Sequence, residues 1–326
     1  MMLPPINLIP MLDSPNAGLD LIRVAVVGVG RWGRNHVRVL KELEHEGIAR
    51  LVAIYDVDTD RAKSIASAFS VENVASSLRE LADLGVEAAV IATPIDTLAA
   101  VASKLVEMGM HVLVEKPVAT RSEEIERLIK LVESKGVIAM PGYIMRFSPV
   151  IRELKKVASQ VKVHYAVFRR LSRRPPAVRK YSILLDLTVH DVDLCRYIVA
   201  RDSCTVEKAI VVDAGIDRIV IAMLDCGNAK CLIHTDGLSL AKVREVELIC
   251  EEVFVRANTD ENTIKVSNPD KSYVERRVVG EEPLKAEDRA FVEACEGRRV
   301  EIPTLIDALE TLRIVEQIEK ASTKHF

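Results

Sequence analysis

The sequence predicts an α/β protein in two parts: a doubly wound parallel sheet, then an α+β unit built on a mixed or antiparallel sheet. Three observations predict it. Short apolar runs alternate with helical stretches through the first half. A glycine-rich turn follows the first of those runs. Beyond about Arg146 the alternation gives way to consecutive short strands. Alternating strands and helices imply right-handed crossovers and a parallel sheet. Strands joined by tight turns imply antiparallel pairing.

The elements follow in order. Residues 24–27 (VAVV) form an apolar run suited to a strand buried on both faces. A helix at about 35–44 and a second strand at 51–55 (LVAIY) come next. Asp58 or Thr59 is placed to cap a helix through 61–68. Strands at 88–92 and 111–114 flank a helix at 98–108. A helix at 122–134, with Glu123 and Glu124 in its first turn, leads to a strand beginning at 138–140. The second part opens with a helix at 149–158 and a longer strand at 162–169, then a helical segment at 186–198. Strand-like runs follow at 207–213, 218–224, 230–235, 244–249 and 253–256, with Gly227-Asn228 as a hairpin signal. An amphipathic helix at 305–321 closes the chain.

The assigned boundaries are a tail at 1–20, a first domain at 21–146 and a second at 147–326, with the last helix a candidate to pack back on the first domain. The 326 residues suffice for two cores without staples. A net charge of −3 gives no footprint for nucleic acid, which needs clustered, unbalanced Lys and Arg. The pairs Arg169-Arg170 and Arg173-Arg174 read as solvated loop charges or local anion contacts. No apolar run reaches membrane-spanning length, and the proline-bearing tail, with a later start at Met11 open, lacks the basic region of a secretory signal. A cytoplasmic location is expected. The six cysteines form no CxxC pair and read as reduced, mostly buried thiols, with a disulfide expected only of a hyperthermophile's chain.

The chemistry begins at Gly28-Val29-Gly30-Arg31-Trp32-Gly33, a G-x-G-x-x-G pattern between a strand and a helix. Its first glycine permits the tight turn, its second admits a pyrophosphate, and its third lets helix and strand pack closely. Asp56, at the end of the second strand, is placed to accept hydrogen bonds from ribose hydroxyls and to repel a 2′-phosphate. This favours NAD over NADP, with Arg61 a residual argument for NADP. Glu115-Lys116-Pro117 ends a strand on the side where such sheets bind ligands. Asp186 and His190 share a helix face at i and i+4, and Asp193 continues it, so His190 reads as a carboxylate-flanked general base. A third metal ligand is not apparent. His36, His45 and His164 lack such partners and read as structural or exposed.

These pieces occur in one order, with Ala92-Thr93-Pro94 and Gly142-Tyr143-x-x-Arg146-Phe147 between them. In that order the sequence resembles the glucose–fructose oxidoreductase/inositol dehydrogenase (Gfo/Idh/MocA) family. The resemblance implies a Rossmann domain followed by a domain with a large, open, mostly antiparallel sheet that forms a homodimer or homotetramer contact. It implies an NAD(P)-dependent dehydrogenase acting on a sugar-type hydroxyl. Lys116, Asp186 and His190 match the catalytic residues; Thr93, Pro94 and Glu115 fall beside the nicotinamide; Tyr143 and Arg146 line the substrate cleft. The segments at 142–149, 173–179 (including Arg179), 186–193 and 242–244 look like the UDP-N-acetylglucosamine 3-dehydrogenase branch. An excess of arginine suits a diphosphate. The alternatives are an inositol or free-sugar dehydrogenase and a non-catalytic NAD-binding sensor. Where many members carry a histidine, this chain reads Ile95-Asp96-Thr97-Leu98, and Tyr181-Ser182 replaces a common Gly-Gly pair.

Overall fold

A computed structural model describes residues 21–200, 204–227 and 229–324. The 1–20 tail, its Met11 start and Asn228 of the expected hairpin lie outside the described residues.

The first half runs β1 (Arg23–Val27), α1 (Arg31–His45), β2 (Arg50–Tyr55), α2 (Thr59–Phe69), β3 (Asn73–Val74), α3 (Leu78–Asp83), β4 (Ala88–Ile91), α4 (Leu98–Glu107), β5 (His111–Glu115), α5 (Ser122–Lys135) and β6 (Ala139–Gly142). The strands pair in parallel in the order β3-β2-β1-β4-β5-β6. Val24 to Val27 are fully buried, as a strand with helices on both faces requires. Asp58 caps α2, its side chain accepting from the Arg61 N–H. The order reverses between β1 and β4, and such a switch point opens a crevice at the carboxyl ends of the strands.

The second half runs α6 (Pro149–Gln160), β7 (Val163–Leu171), a π-helical turn (Leu184–Thr188), α7 (Val189–Ile198), β8 (Thr205–Asp213), β9 (Arg218–Asp225), β10 (Lys230–Asp236), β11 (Val243–Cys250), β12 (Phe254–Asn258), β13 (Thr263–Ser267), β14 (Tyr273–Arg277), α8 (Pro283–Cys295), α9 (Leu305–Ala321) and β15 (Ser322–Lys324). Its nine strands are ordered β14-β13-β12-β11-β7-β10-β9-β8-β15. Most pairs are antiparallel; β7–β10 and β8–β15 are parallel. One face is buried through Ala166, Phe168, Ala222, Ile233, Val246 and Leu248. On the opposite face Ile221 and Ile249 keep 38% and 36% of their surface exposed.

Two expectations change. Cys204 and Cys226 form a disulfide, so the cysteines are not all free thiols. Sequence reading also left 257–304 unassigned, and α8 lies there. It packs Leu284, Phe291 and Val292 into the core beneath β1 and α1, returning the late chain to the first sheet. Its buried face carries Glu287 and Asp288, both fully buried, so the apolar periodicity that would reveal the helix is broken. Helix α9 packs back as well, with Glu316 accepting from the Ser122 N–H and hydroxyl at the start of α5.

Candidate active site

The glycine turn is built around the end of β1. Gly28 has φ +86°, and a Cβ there would meet the Ala92 carbonyl oxygen at 2.8 Å and Thr93 Cγ2 at 2.9 Å. A Cβ on Gly33 would lie 1.8 Å from the Gly28 oxygen, so α1 approaches the turn as only glycine allows. At Gly30 an added Cβ would meet nothing within 4 Å. Open space thus lies over the turn, where a pyrophosphate would sit. No side chain caps the start of α1, which leaves its first N–H groups to an anion. Arg31 and Trp32 are exposed beside them, and Thr93 and Pro94 form the neighbouring loop after β4. These residues fit a dinucleotide.

Asp56 sits at the tip of β2, accepting from the Val29 N–H at 2.8 Å and the Asp58 N–H at 2.9 Å. Arg61 grips it with Nε at 3.2 Å and Nη2 at 2.9 Å. Burial works against the carboxylate's charge, but Arg61 and the two N–H groups outweigh it and hold its pKa below the usual value. The tip of β2 therefore presents an ionised carboxylate with a half-exposed guanidinium over it.

Across the crevice, Lys116 follows β5 and reaches into the π-helical turn. Its Nζ donates to the Asp186 carbonyl oxygen at 2.7 Å and lies 3.5 Å from Asp186 Oδ1. Burial lowers the ammonium's pKa, and Asp186 and Glu115 offset this only in part. His190 lies one turn on, in the first turn of α7. The expected carboxylate flanking does not occur. No hydrogen bond joins His190 to Asp186 or Asp193 among the described residues, and its Nδ1 is buried without a partner. Burial, followed by the nearby charges of Lys116, Arg170 and Arg244, holds its pKa well below the ordinary histidine value. Its imidazole is therefore neutral at neutral pH.

Of the cations around it, Lys116 was expected in the site, Arg170 read as a loop charge or anion contact, and Arg244 lay in the 242–244 segment of the family resemblance. Arg170 is 7% exposed and pairs with Asp191 through Nε at 2.9 Å. Arg174 is 4% exposed and bonds Asp217 at 2.8 Å and Asp186 Oδ2 at 3.1 Å. Arg244 stands opposite Arg170 across β11 and β7, held by the carbonyls of Leu171 and Val243 and by Ser172 Oγ. The inward register of β7 puts Arg170 on the same face as Ala166 and Phe168. That alternation was the available signal; the buried carboxylates that receive these arginines come from distant segments.

Three expected substrate contacts are otherwise engaged. Tyr143 is 2% exposed, and Arg146, also buried, pairs with Asp193 at 2.6 Å and Asp307 at 3.2 Å beneath Tyr197. Together they join the segment after β6 to α7 and α9, and Arg146 also lines a cavity with Phe147, Arg152 and Tyr197. Arg179 donates to the Arg174 carbonyl oxygen at 3.0 Å and lines a cavity of about 320 Å³ with Arg174, Lys180 and Arg218. The carboxylate-flanked histidine is instead His36. Fully buried on α1, it lies 2.8 Å from Asp288 and 3.2 Å from Glu115. Burial disfavours its charged form, but Asp288 and Glu115 outweigh that and raise its pKa.

Residues 22–143 match the model of the Gfo/Idh/MocA oxidoreductase family, NAD-binding Rossmann fold. Over 193 residues the chain is 32% identical to scyllo-inositol 2-dehydrogenase (NAD(+)) of Bacillus subtilis, covering 57% of this chain and 56% of that protein. It is 29% identical to UDP-N-acetylglucosamine 3-dehydrogenase of Acidithiobacillus ferrooxidans over 62% of this chain and 61% of the relative. The matches thus span less than two thirds of the length of these relatives. A solved structure of the Acidithiobacillus ferrooxidans UDP-N-acetylglucosamine 3-dehydrogenase superposes with a TM-score of 0.84, covering 92% of this chain and 97% of that one at 23% identity. That second likeness is one of fold. No helix among the described residues is long and apolar enough to cross a membrane.

Proposed function

We propose that this chain, whose N-terminal domain belongs to the Gfo/Idh/MocA oxidoreductase family, oxidises a secondary hydroxyl of a sugar or polyol with a nicotinamide cofactor. The observation that carries the reading is His190, buried with its Nδ1 unpartnered, beside Lys116, which follows the strand end at β5 and donates to the Asp186 carbonyl oxygen. Gly28, Gly30 and Gly33 admit the pyrophosphate, Asp56 the adenosine ribose, and Thr93, Pro94 and Glu115 border the nicotinamide end. The bound nicotinamide supplies a hydride acceptor.

The protein's own groups handle the proton. His190 Nδ1 is enclosed, which leaves Nε2 to take the hydroxyl proton. Lys116 Nζ donates to the same oxygen and favours its developing negative charge. The Asp186 carbonyl fixes Lys116, and Arg174 holds the Asp186 carboxylate from the far side. Burial, helped by the nearby cations, keeps His190 unprotonated before reaction, so it is ready as a base.

A nucleotide sugar such as UDP-N-acetylglucosamine, reacting at its C3 hydroxyl, is the substrate class we favour. Arg244 supports it, since its guanidinium is held by carbonyl and hydroxyl oxygens and forms no salt bridge among the described residues, and its neighbour Arg170 is also cationic. An inositol or free sugar is the second reading, favoured by the likeness to the Bacillus subtilis inositol enzyme. The test is formation of reduced nicotinamide with a panel of UDP-sugars, free sugars and inositols, with a ketone acceptor added to recycle tightly held cofactor. Turnover on a UDP-sugar but not its free sugar supports the first reading. Turnover on a free polyol alone moves the protein to the second, and silence across the panel counts against both.

NAD is the proposed cofactor because Asp56 is ionised where a 2′-phosphate would lie. Replacing Asp56 with Ser takes away the closer of the two carboxylates on Arg61, leaving Asp58 at 3.5 Å, and is expected to shift preference toward NADP by at least about tenfold. An unchanged ratio of kcat/KM values for the two cofactors would reject that assignment. The exposed apolar residues on the outer face of the nine-stranded sheet fit contact with a second copy of the chain. Light scattering should therefore report a dimer or tetramer, and Ile221→Lys should reduce its mass; a monomeric wild type would refute the contact.

A further inference from the structure

On the reading that Lys116 takes part in the reaction, we propose that His36 is the residue that positions it. Anchored by Asp288 on α8, His36 holds Glu115 at the end of β5 and so fixes the backbone from which the lysine reaches the π-helical turn. The line of contacts is continuous. Both Asp288 carboxylate oxygens meet His36 Nδ1, at 2.8 Å and 3.1 Å. His36 Nε2 lies 3.2 Å from Glu115 Oε1. Glu115 Oε2 accepts from the Lys116 N–H at 3.1 Å. Each of the three residues from Asp288 to Glu115 is at most 4% exposed. The neighbouring strand leaves no slack. Gly142 pairs with Glu115, and a Cβ on it would lie 3.0 Å from Glu115 Cα and 3.3 Å from Oε2.

The charges explain why an imidazole stands here. Burial opposes its protonation, but Asp288 and Glu115 outweigh that and keep it charged. Both ring nitrogens then donate, so one side chain grips two carboxylates from opposite sides. A glutamine donates from one atom and cannot span both. Glu287, fully buried beside them on α8, bonds through neither carboxylate oxygen among the described residues. Burial, then Glu115, raises its pKa well above the usual value, so it stays neutral. Two carboxylates thus face one imidazolium, and losing any of the three leaves a buried charge unmatched. Apolar side chains would join α1 to α8 at least as firmly. They could not hold a carboxylate at the strand end. Because α1 starts at Arg31, inside the glycine turn, the same imidazole keeps the lysine in register with the cofactor cradle.

The first readout uses the full chain without cofactor or substrate. Brief acetylation with acetic anhydride, followed by digestion and mass spectrometry, gives the reactivity of each lysine. In His36→Gln, Lys116 should react at least about tenfold faster than in wild type, as expected for loss of a charged hydrogen bond, with the other lysines unchanged. Turnover on the substrate found by the panel should fall about 10- to 100-fold, while NADH affinity stays within about threefold. Asp288→Asn keeps the volume and should give the same pattern. Glu287→Gln exchanges one neutral group for another and should leave Lys116 reactivity and turnover at the wild-type level. Unchanged Lys116 reactivity in His36→Gln overturns the proposal, as does a rise shared by all lysines or an equal effect of Glu287→Gln. A rise at Lys116 alone with full turnover keeps the clamp and removes Lys116 from the proposed reaction. Should His36→Gln fail to fold, Asp288→Asn decides on the same readouts.

Discussion

His190→Ala is expected to lower turnover by about 10²- to 10⁴-fold while leaving cofactor affinity within about twofold of wild type. The imidazole does not contact the glycine turn or Asp56, so removing it takes away the base without disturbing the cofactor cradle. Rates with the true substrate and fluorescence titration with NADH separate the two effects. A fully active variant would end the base assignment. The pH profile of the wild type carries the same argument further. Burial and the charges of Lys116, Arg170 and Arg244 depress the histidine's pKa. The base should therefore stay unprotonated below the ordinary histidine value, and the acid limb of kcat/KM should lie lower than about pH 6.5. The same depression acts on folding. As pH falls below the ordinary value, the unfolded chain binds a proton that the folded chain refuses, so the contribution of His190 to stability declines toward acid. Arg244→Met removes one of these cations and should raise the acid limb. A limb at or above the ordinary value in wild type would contradict the electrostatic picture.

Asp193→Ala is expected to destabilise the protein by about 3 kcal/mol, because it leaves Arg146 buried without its closest counter-charge. The Asp193 carboxylate is 1% exposed and meets Arg146 through Nε and Nη2. Asp307 remains at 3.2 Å, which keeps the loss near the low end for a broken buried pair. Urea unfolding gives the difference directly, provided the transition is two-state or the C-terminal half is followed by its own probe. The double variant Arg146→Met/Asp193→Leu removes both charges and should recover most of the loss. A loss below about 1 kcal/mol in Asp193→Ala would show that the pair is not a structural joint. This prediction runs against the sequence-based expectation that Arg146 lines the substrate cleft. A residue holding three segments together should affect unfolding, with its effect on KM arising only through the displaced α7.

The cofactor cradle was legible in the sequence because its physics is local. A glycine between a strand and a helix, two more at fixed offsets and an acid at the next strand's end are near neighbours in the chain. Their conformational demands appear as residue types. Helix caps such as Asp58 and the strand–helix alternation were readable for the same reason. The helix at 283–295 was not, since its buried Glu287 and Asp288 imitate an exposed polar stretch. Only folding brings Asp288 to His36, 252 residues away. The surroundings of His190 likewise depended on contacts that sequence spacing cannot show. Helical spacing placed Asp186 and Asp193 near it, but each carboxylate is committed to a distant cation, Asp186 to Lys116 and Arg174, Asp193 to Arg146. The cysteines show the same division: no spacing among them signals a bond, yet folding joins Cys204 to Cys226 and brings Cys195 Sγ within 3.5 Å of Cys226 Sγ. Sequence alone thus determined most of the elements and the glycine turn, because backbone preference and hydrophobic period act over a few residues, and the family resemblance marked the candidate proton-handling residues. Tertiary structure decided which charges are paired and therefore which side chains remain free for chemistry, because burial makes an unpaired charge costly and its partner comes from anywhere in the chain.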